Sequence, residues 1–172
     1  MTPTGTLVQR VAEALRSRGA MLATAESCTG GLVAAACTDV AGSSEWFERG
    51  FVTYSNAAKV ESLGVPPALI EAHGAVSAEV ARAMAEGAIA ASAAARYAVA
   101  VTGIAGPGGG STEKPVGTVW LASSERGGPT HARLLGARGD RTMIRAQSVN
   151  AALVLLLELV EAASMKAGAS PR

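Results

Sequence analysis

The stretch that most limits what this chain can become is "YAVAVTG", Tyr97 to Gly103, followed at once by "IAGPGGGSTEKP". A continuous apolar run with β-branched valines reads as a buried strand. The twelve residues after it hold four glycines and two prolines, Pro107 and Pro115. They form a loop rather than regular structure. A strand with no polar face needs a layer on each side, and the patterns around it supply helices.

Apolar residues at Leu7, Val11, Ala12 and Leu15 follow helical spacing, with Gly19 as a stop, so a helix is expected over about 5–18. "MLATAE" is a short strand, and Gly30-Gly31 opens a second helix to about Asp39. "VAGSSEW" is a turn. "FERGFVTYS" alternates and carries β-formers, which predicts a strand ending near Tyr54. Ser55 or Asn56 then caps a short helix to about Leu63. "ALIEAHG" makes one or two helical turns, and Ser77 with Glu79 starts an Ala-rich helix to about Ala94 that can sit close on a sheet. "VGTVWLAS" and "THARLLGA" read as two strands joined by "SERGGP". From about Asp140 a long helix follows, its apolar side formed by Met143, Ile144, Leu153, Leu156 and Val160. Helices interleaved with strands predict an α/β fold, a three-layer α/β/α sandwich whose sheet is mixed but mostly parallel.

At 172 residues the chain is expected to form one domain, with its core over about 5–163. Only two each of Trp, Tyr and Phe are present beside twenty glycines, so the core must be packed from small side chains. Fifteen basic against fourteen acidic residues leave a formal charge of +1, with no basic run of the kind that neutralises a duplex. Nucleic acid is therefore not an expected partner. Cys28 and Cys37 provide neither a disulfide framework nor a zinc spacing. No signal-peptide pattern stands at the N-terminus, and "AALVLLLELV" is too short to cross a bilayer. A cytoplasmic protein without membrane association is expected, its last residues, "KAGASPR", frayed.

Ser27, in "ATAESCTGGLVAAA", stands where a strand gives way to a helix. There its hydroxyl can cap the helix or act as a nucleophile beside free backbone N–H groups. A nucleophile needs a base, and neither His73 nor His131 has an obvious acidic partner. Lys59 is the alternative, five residues after Tyr54. A free lysine is neutral in only about one molecule in 2,500 at pH 7, so a lysine base has to be desolvated or set beside another cation. Cys28 is a second candidate nucleophile, against its usual role as a small buried hydrophobe. The loop "TGIAGPGGG" offers backbone N–H groups to a phosphate, although it matches neither a Walker loop nor a dinucleotide fingerprint. Arg138, Arg141 and Arg145 gather at the start of the last helix, where positive potential attracts anions.

Taken together, "TAESCTGG", "GFVTYSNAAK", "HGAVS", "VTGIAGPGGG", "EKPVGTVW" and "GDR" closely resemble the nicotinamide-nucleotide amidase family, also called the CinA C-terminal domain family. The resemblance implies deamidation of nicotinamide mononucleotide to nicotinate mononucleotide and ammonia, in the recycling of the pyridine ring of NAD. Carried onto this chain, it makes Ser27 the nucleophile and Tyr54 and Lys59 its accessory catalytic groups, with no metal and no cofactor. Substrate contacts are expected from Thr29, Gly30, Gly31, Thr102, Gly103, Gly106 and Arg141, and the oxyanion from N–H groups around Thr29 to Gly31. The resemblance also implies a homo-oligomer and the stand-alone form, without the larger N-terminal domain of many relatives. Two other readings stay open: a nucleotide-binding or regulatory module without turnover, and an amidase for another small carboxamide.

Overall fold

The structure is a computed structural model that describes residues 3–168. In chain order it runs α1 (Thr4–Arg16), β1 (Met21–Glu26), α2 (Leu32–Thr38), a single 3-10 turn at Ser43–Glu45, β2 (Phe47–Val52), α3 (Asn56–Leu63), α4 (Pro67–His73), α5 (Ala78–Ala90), β3 (Ala95–Gly103), β4 (Thr118–Glu125), β5 (Thr130–Gly136) and α6 (Arg141–Gly168). The five strands form one sheet in the order β2-β1-β3-β4-β5. β1 pairs in parallel with β2 and β3, while β4 runs antiparallel to both β3 and β5. Four strands thus point one way and β4 alone opposes them, which is the mixed, mostly parallel sheet that the sequence predicts.

The two faces of the sheet are built from different sizes of side chain. On β3, Tyr97, Val99 and Val101 join Leu22 of β1 and Leu121 of β4 against α1, α2 and α6. The intervening Ala98 and Ala100, with Ala23, Ala25 and Ala122, face α5 and the ends of α3 and α4. Alternation in a strand sends successive side chains to opposite faces, so one valine–alanine repeat makes a thick aliphatic layer and a thin alanine layer. The thin layer lets α5 lie close, as its alanine content predicts. Between helices the approach is closer still: a Cβ at Gly87 of α5 would stand 2.0 Å from the Leu63 carbonyl oxygen at the end of α3.

Several boundaries move, each for a local reason. β2 stops at Val52 rather than near Tyr54, after which the Thr53 N–H still donates to the Glu26 carbonyl. α5 ends at Ala90 rather than Ala94, because Ser92 turns the chain and its hydroxyl accepts the Ala95 N–H that opens β3. Asp140 accepts from the Met143 N–H and so caps α6, but Met143 itself is exposed rather than part of the apolar side. Of the C-terminal residues expected to fray, 166–168 continue α6 and 169–172 lie outside the described residues. The helix that contains "AALVLLLELV" is longer than that run and, by length and composition, its Arg141–Ala163 stretch is sufficient to span a membrane. Its most apolar 18-residue window is instead 61% buried in the protein, packed against the sheet and α1 as a core helix is.

Helices normally gain about 1 kcal/mol when an interior glycine becomes alanine. Gly87→Ala is expected to reverse that sign and destabilise the protein by about 1–3 kcal/mol, because the added methyl meets a backbone carbonyl that cannot swing aside. Urea unfolding of the variant against wild type checks it.

Candidate active site

β1, β2 and β3 run in parallel and end side by side, and β1 leaves toward β2 while β3 lies on its other flank. Such a switch point opens a crevice at the carboxyl ends of the strands. Ser27 stands there, the first residue beyond β1, with its N–H donating to the Val101 carbonyl of β3 at 2.9 Å. Its carbonyl accepts the Gly30 N–H, which closes a tight turn over Cys28 and Thr29. Gly30 and Gly31 then take φ values of 59° and 96°, a left-handed pair that only glycine adopts cheaply.

A buried acid anchors the chain beyond this turn. The Glu26 carboxylate, 1% exposed, accepts from the N–H groups of Gly31, Val33 and Ala34 at 2.8–3.0 Å, at the start of α2. It meets the orphan donors of the helix and the positive end of its dipole together. A charged residue at the end of an otherwise apolar strand, just ahead of a Gly-Gly helix start, was the available signal for this role, and sequence reasoning missed it.

Lys59 enters from the other side. Ser55 caps α3 through the Ala58 N–H, and one turn into that helix the Lys59 side chain points inward, 1% exposed. Its Nζ lies 3.2 Å from Ser27 Oγ, 2.8 Å from the Thr53 carbonyl and 3.4 Å from the Tyr54 carbonyl. As an ammonium it donates to all three. As a neutral amine it gives its two hydrogens to the carbonyls and turns its lone pair toward the Ser27 hydroxyl. Burial pulls the Lys59 pKa below the usual lysine value, opposed by its attraction to Cys28. Ser27 and Lys59 therefore meet directly, with no histidine between them. His73 lies 3.8 Å from Glu79 at the end of α4, and His131 is exposed on β5.

Tyr54 goes elsewhere. Its side chain is 60% exposed, and its phenol oxygen accepts from Arg141 Nη2 at 3.1 Å. Only its backbone carbonyl touches Lys59, so no phenol stands between Lys59 and Ser27. Arg141 also donates through Nη1 to the Gly106 carbonyl at 2.8 Å, tying the glycine loop to α6. Thr102 is buried and its hydroxyl donates to the Ala75 carbonyl, in the "HGAVS" segment, while Gly103 packs against Val119. These two residues hold the frame of the crevice rather than present free groups to it. The Gly30 and Gly31 N–H groups are likewise engaged, by Ser27 and Glu26. Among the described residues the donors left without an acceptor in this turn are the Cys28 and Thr29 N–H groups.

Cys28 is buried, and burial pushes its thiol up to about 11, so it is a neutral, poorly nucleophilic thiol at pH 7. Cys37, on α2, is raised to about 12 in the same way. Among the described residues no group of three or more His, Cys, Asp or Glu side chains is placed to hold a metal ion.

A family model described as CinA C-terminal domain matches residues 4–160. The nicotinamide-nucleotide amidohydrolase PncC of Pseudomonas putida is 55% identical over 159 residues, which cover 92% of this chain and 98% of that protein. Its namesake from Escherichia coli (strain K12) is 54% identical over 150 residues, covering 87% and 90%. The crystal structure of the competence/damage inducible protein CihA from Agrobacterium tumefaciens superposes with a TM-score of 0.88 at 46% identity, covering 94% of this chain and 98% of that one.

The buried lysine has a signature in stability. Its pKa is lowered in the folded protein, so between that value and the ordinary 10.5 the unfolded chain binds more protons and folding strengthens as pH rises. Relative to Lys59→Met, wild type is expected to gain up to about 1.4 kcal/mol per pH unit across that window and nothing below it. Urea unfolding of both proteins from pH 6 to 10 measures the difference.

Proposed function

The chain belongs to the CinA C-terminal domain family, and on that premise we propose that it hydrolyses the carboxamide of nicotinamide mononucleotide, with Ser27 as nucleophile and Lys59 as base. The observation that carries the reading is the 3.2 Å approach of a buried, desolvated Lys59 Nζ to Ser27 Oγ. Relatives named nicotinamide-nucleotide amidohydrolase, more than half identical over most of the chain, support the reaction class and supply the substrate.

Ser27 Oγ attacks the carboxamide carbon as its proton passes directly to neutral Lys59. The carbonyl oxygen takes up the negative charge, and the Cys28 and Thr29 N–H groups are the donors available to it, in place of the Thr29 to Gly31 set inferred from sequence. The Lys59 ammonium returns the proton to the departing nitrogen, the C–N bond breaks, and ammonia leaves a Ser27 ester. Water, deprotonated by Lys59, then attacks that ester, the C–Oγ bond breaks as the Lys59 ammonium returns its proton to Ser27 Oγ, and nicotinate mononucleotide leaves to re-enter NAD synthesis. Tyr54 acts at the mouth rather than as a proton relay. Its ring can lie against the cationic pyridinium, and Arg141 beside it keeps donors and charge for the substrate phosphate.

Ammonia release from nicotinamide mononucleotide in metal-free buffer tests this. Wild type is expected to turn over, and Ser27→Ala and Lys59→Ala to lose at least about a thousandfold in kcat with the fold intact. Because the base must be neutral, kcat/KM should rise with pH through a pKa below 10.5. Binding of the nucleotide without turnover by wild type would instead leave a nucleotide-binding module.

Tyr54→Phe separates the two roles of the phenol. Loss of the hydroxyl is expected to raise KM by about threefold to tenfold while leaving kcat within about threefold, since the hydroxyl serves Arg141 and not Lys59. A fall in kcat of a hundredfold or more would return Tyr54 to the proton path.

A further inference from the structure

Arg145, one turn after Arg141 on α6, does not face solvent as an anion-attracting side chain. It is half-buried, and its Nε and Nη2 donate to the Cys28 and Thr29 carbonyls at 3.1 and 3.0 Å. These are the two central residues of the turn that begins at Ser27. The peptide between them is the one a β-turn can flip, exchanging type I for type II. A type II turn needs positive φ at its second central residue, which Thr29 does not have. The Cys28–Thr29 peptide is also trans, so its N–H points opposite its carbonyl. With the carbonyl held by Arg145, the Thr29 N–H is turned away from α6, and among the described residues no acceptor uses it.

We infer that Arg145 is a positioning residue for the oxyanion: by holding the Cys28 carbonyl it aims the Thr29 N–H at the oxygen that becomes negative when Ser27 attacks. The inference rests on the Ser27–Lys59 reading above. A cation on the carbonyl also polarises the peptide unit and makes its N–H a stronger donor. Without Arg145 only the steric cost of a positive φ at β-branched Thr29 opposes rotation of that peptide, and the donor is off its aim in part of the population. Arg145 touches neither Ser27 nor the substrate in this scheme, so its removal slows the chemical step and leaves binding alone.

The test uses the full chain and a small alkyl fluorophosphonate. Ser27 Oγ attacks phosphorus, its proton goes to Lys59, the P–F bond breaks and fluoride leaves, while the phosphoryl oxygen occupies the place of the acyl oxygen. The labelling rate at Ser27, read by peptide mass, is expected to fall about threefold to thirtyfold in Arg145→Ala, less than for outright loss of an oxyanion donor because the donor is lost in only part of the population. Millimolar guanidinium should restore part of it without changing wild type. Arg145→Lys, which keeps the cation but reaches one carbonyl, should lose about threefold and serves if the alanine variant fails to fold. With nicotinamide mononucleotide the same variants should lose kcat in proportion, with KM within about threefold. Unchanged labelling in folded Arg145→Ala, a raised KM at constant kcat, or no labelling of wild type overturns the inference. Wild type that is labelled, with the expected variant pattern, but does not release ammonia from the nucleotide refutes the substrate and leaves the role of Arg145 standing.

Discussion

An amine that folding has withdrawn from water sets the conditions around it. Lys59 is 1% exposed, and its Nζ has to find acceptors within the protein. It finds the Thr53 and Tyr54 carbonyls, which are free because β2 stops at Val52 and α3 begins at Asn56. A strand continued to Tyr54 would send the two carbonyls to opposite sides, where one amine could not reach both. The short break between strand and helix is therefore the device that allows the lysine to be buried, and the third direction around Nζ is left for Ser27. Desolvation that would be a defect elsewhere lowers the pKa of this amine, which is what the proposed base requires.

A second buried charge performs a different task on the same crevice. Glu26 holds the first N–H groups of α2 and so fixes the direction in which the chain leaves Ser27. Arg145 reaches the same turn from α6. The turn is thus held on two sides, by one anion on the N–H groups that follow it and one cation on its own carbonyls. Preorganisation of this kind matters most where charge develops during a reaction, because dipoles already in place need no reorganisation when it appears.

Much of this was legible in the sequence because it rested on local pattern. The buried run at Tyr97–Gly103, the glycine pair after Ser27 and the caps at Ser55, Ser77 and Asp140 each reveal an element through its own residues. The pairing of Ser27 with a lysine 32 positions away came from resemblance to a family, not from spacing. What was missed is non-local. Nothing in "RGDRTMIRAQ" tells that Arg145 will find two carbonyls more than a hundred residues upstream, or that Arg141 will take the Tyr54 phenol. Thr102 and the Gly31 N–H looked available for substrate because a sequence shows donors without showing which acceptors the fold brings to them.

The unequal faces of the sheet bear on how the protein can change over time. The side of the sheet that carries α5 is packed with alanine, and at Gly87 even a methyl group would meet the α3 backbone. The aliphatic layer under α6 is thick and made of leucines and valines, which exchange volume and repack with modest loss. Drift should therefore accumulate beneath α6, and α6 carries both Arg141 and Arg145. Leu153 and Leu156, distant from Ser27 in sequence, are buried on the same helix from which the two arginines reach the crevice. The soft side of the core is thus the tuning side of the site, and the hard side is the reference against which it is tuned.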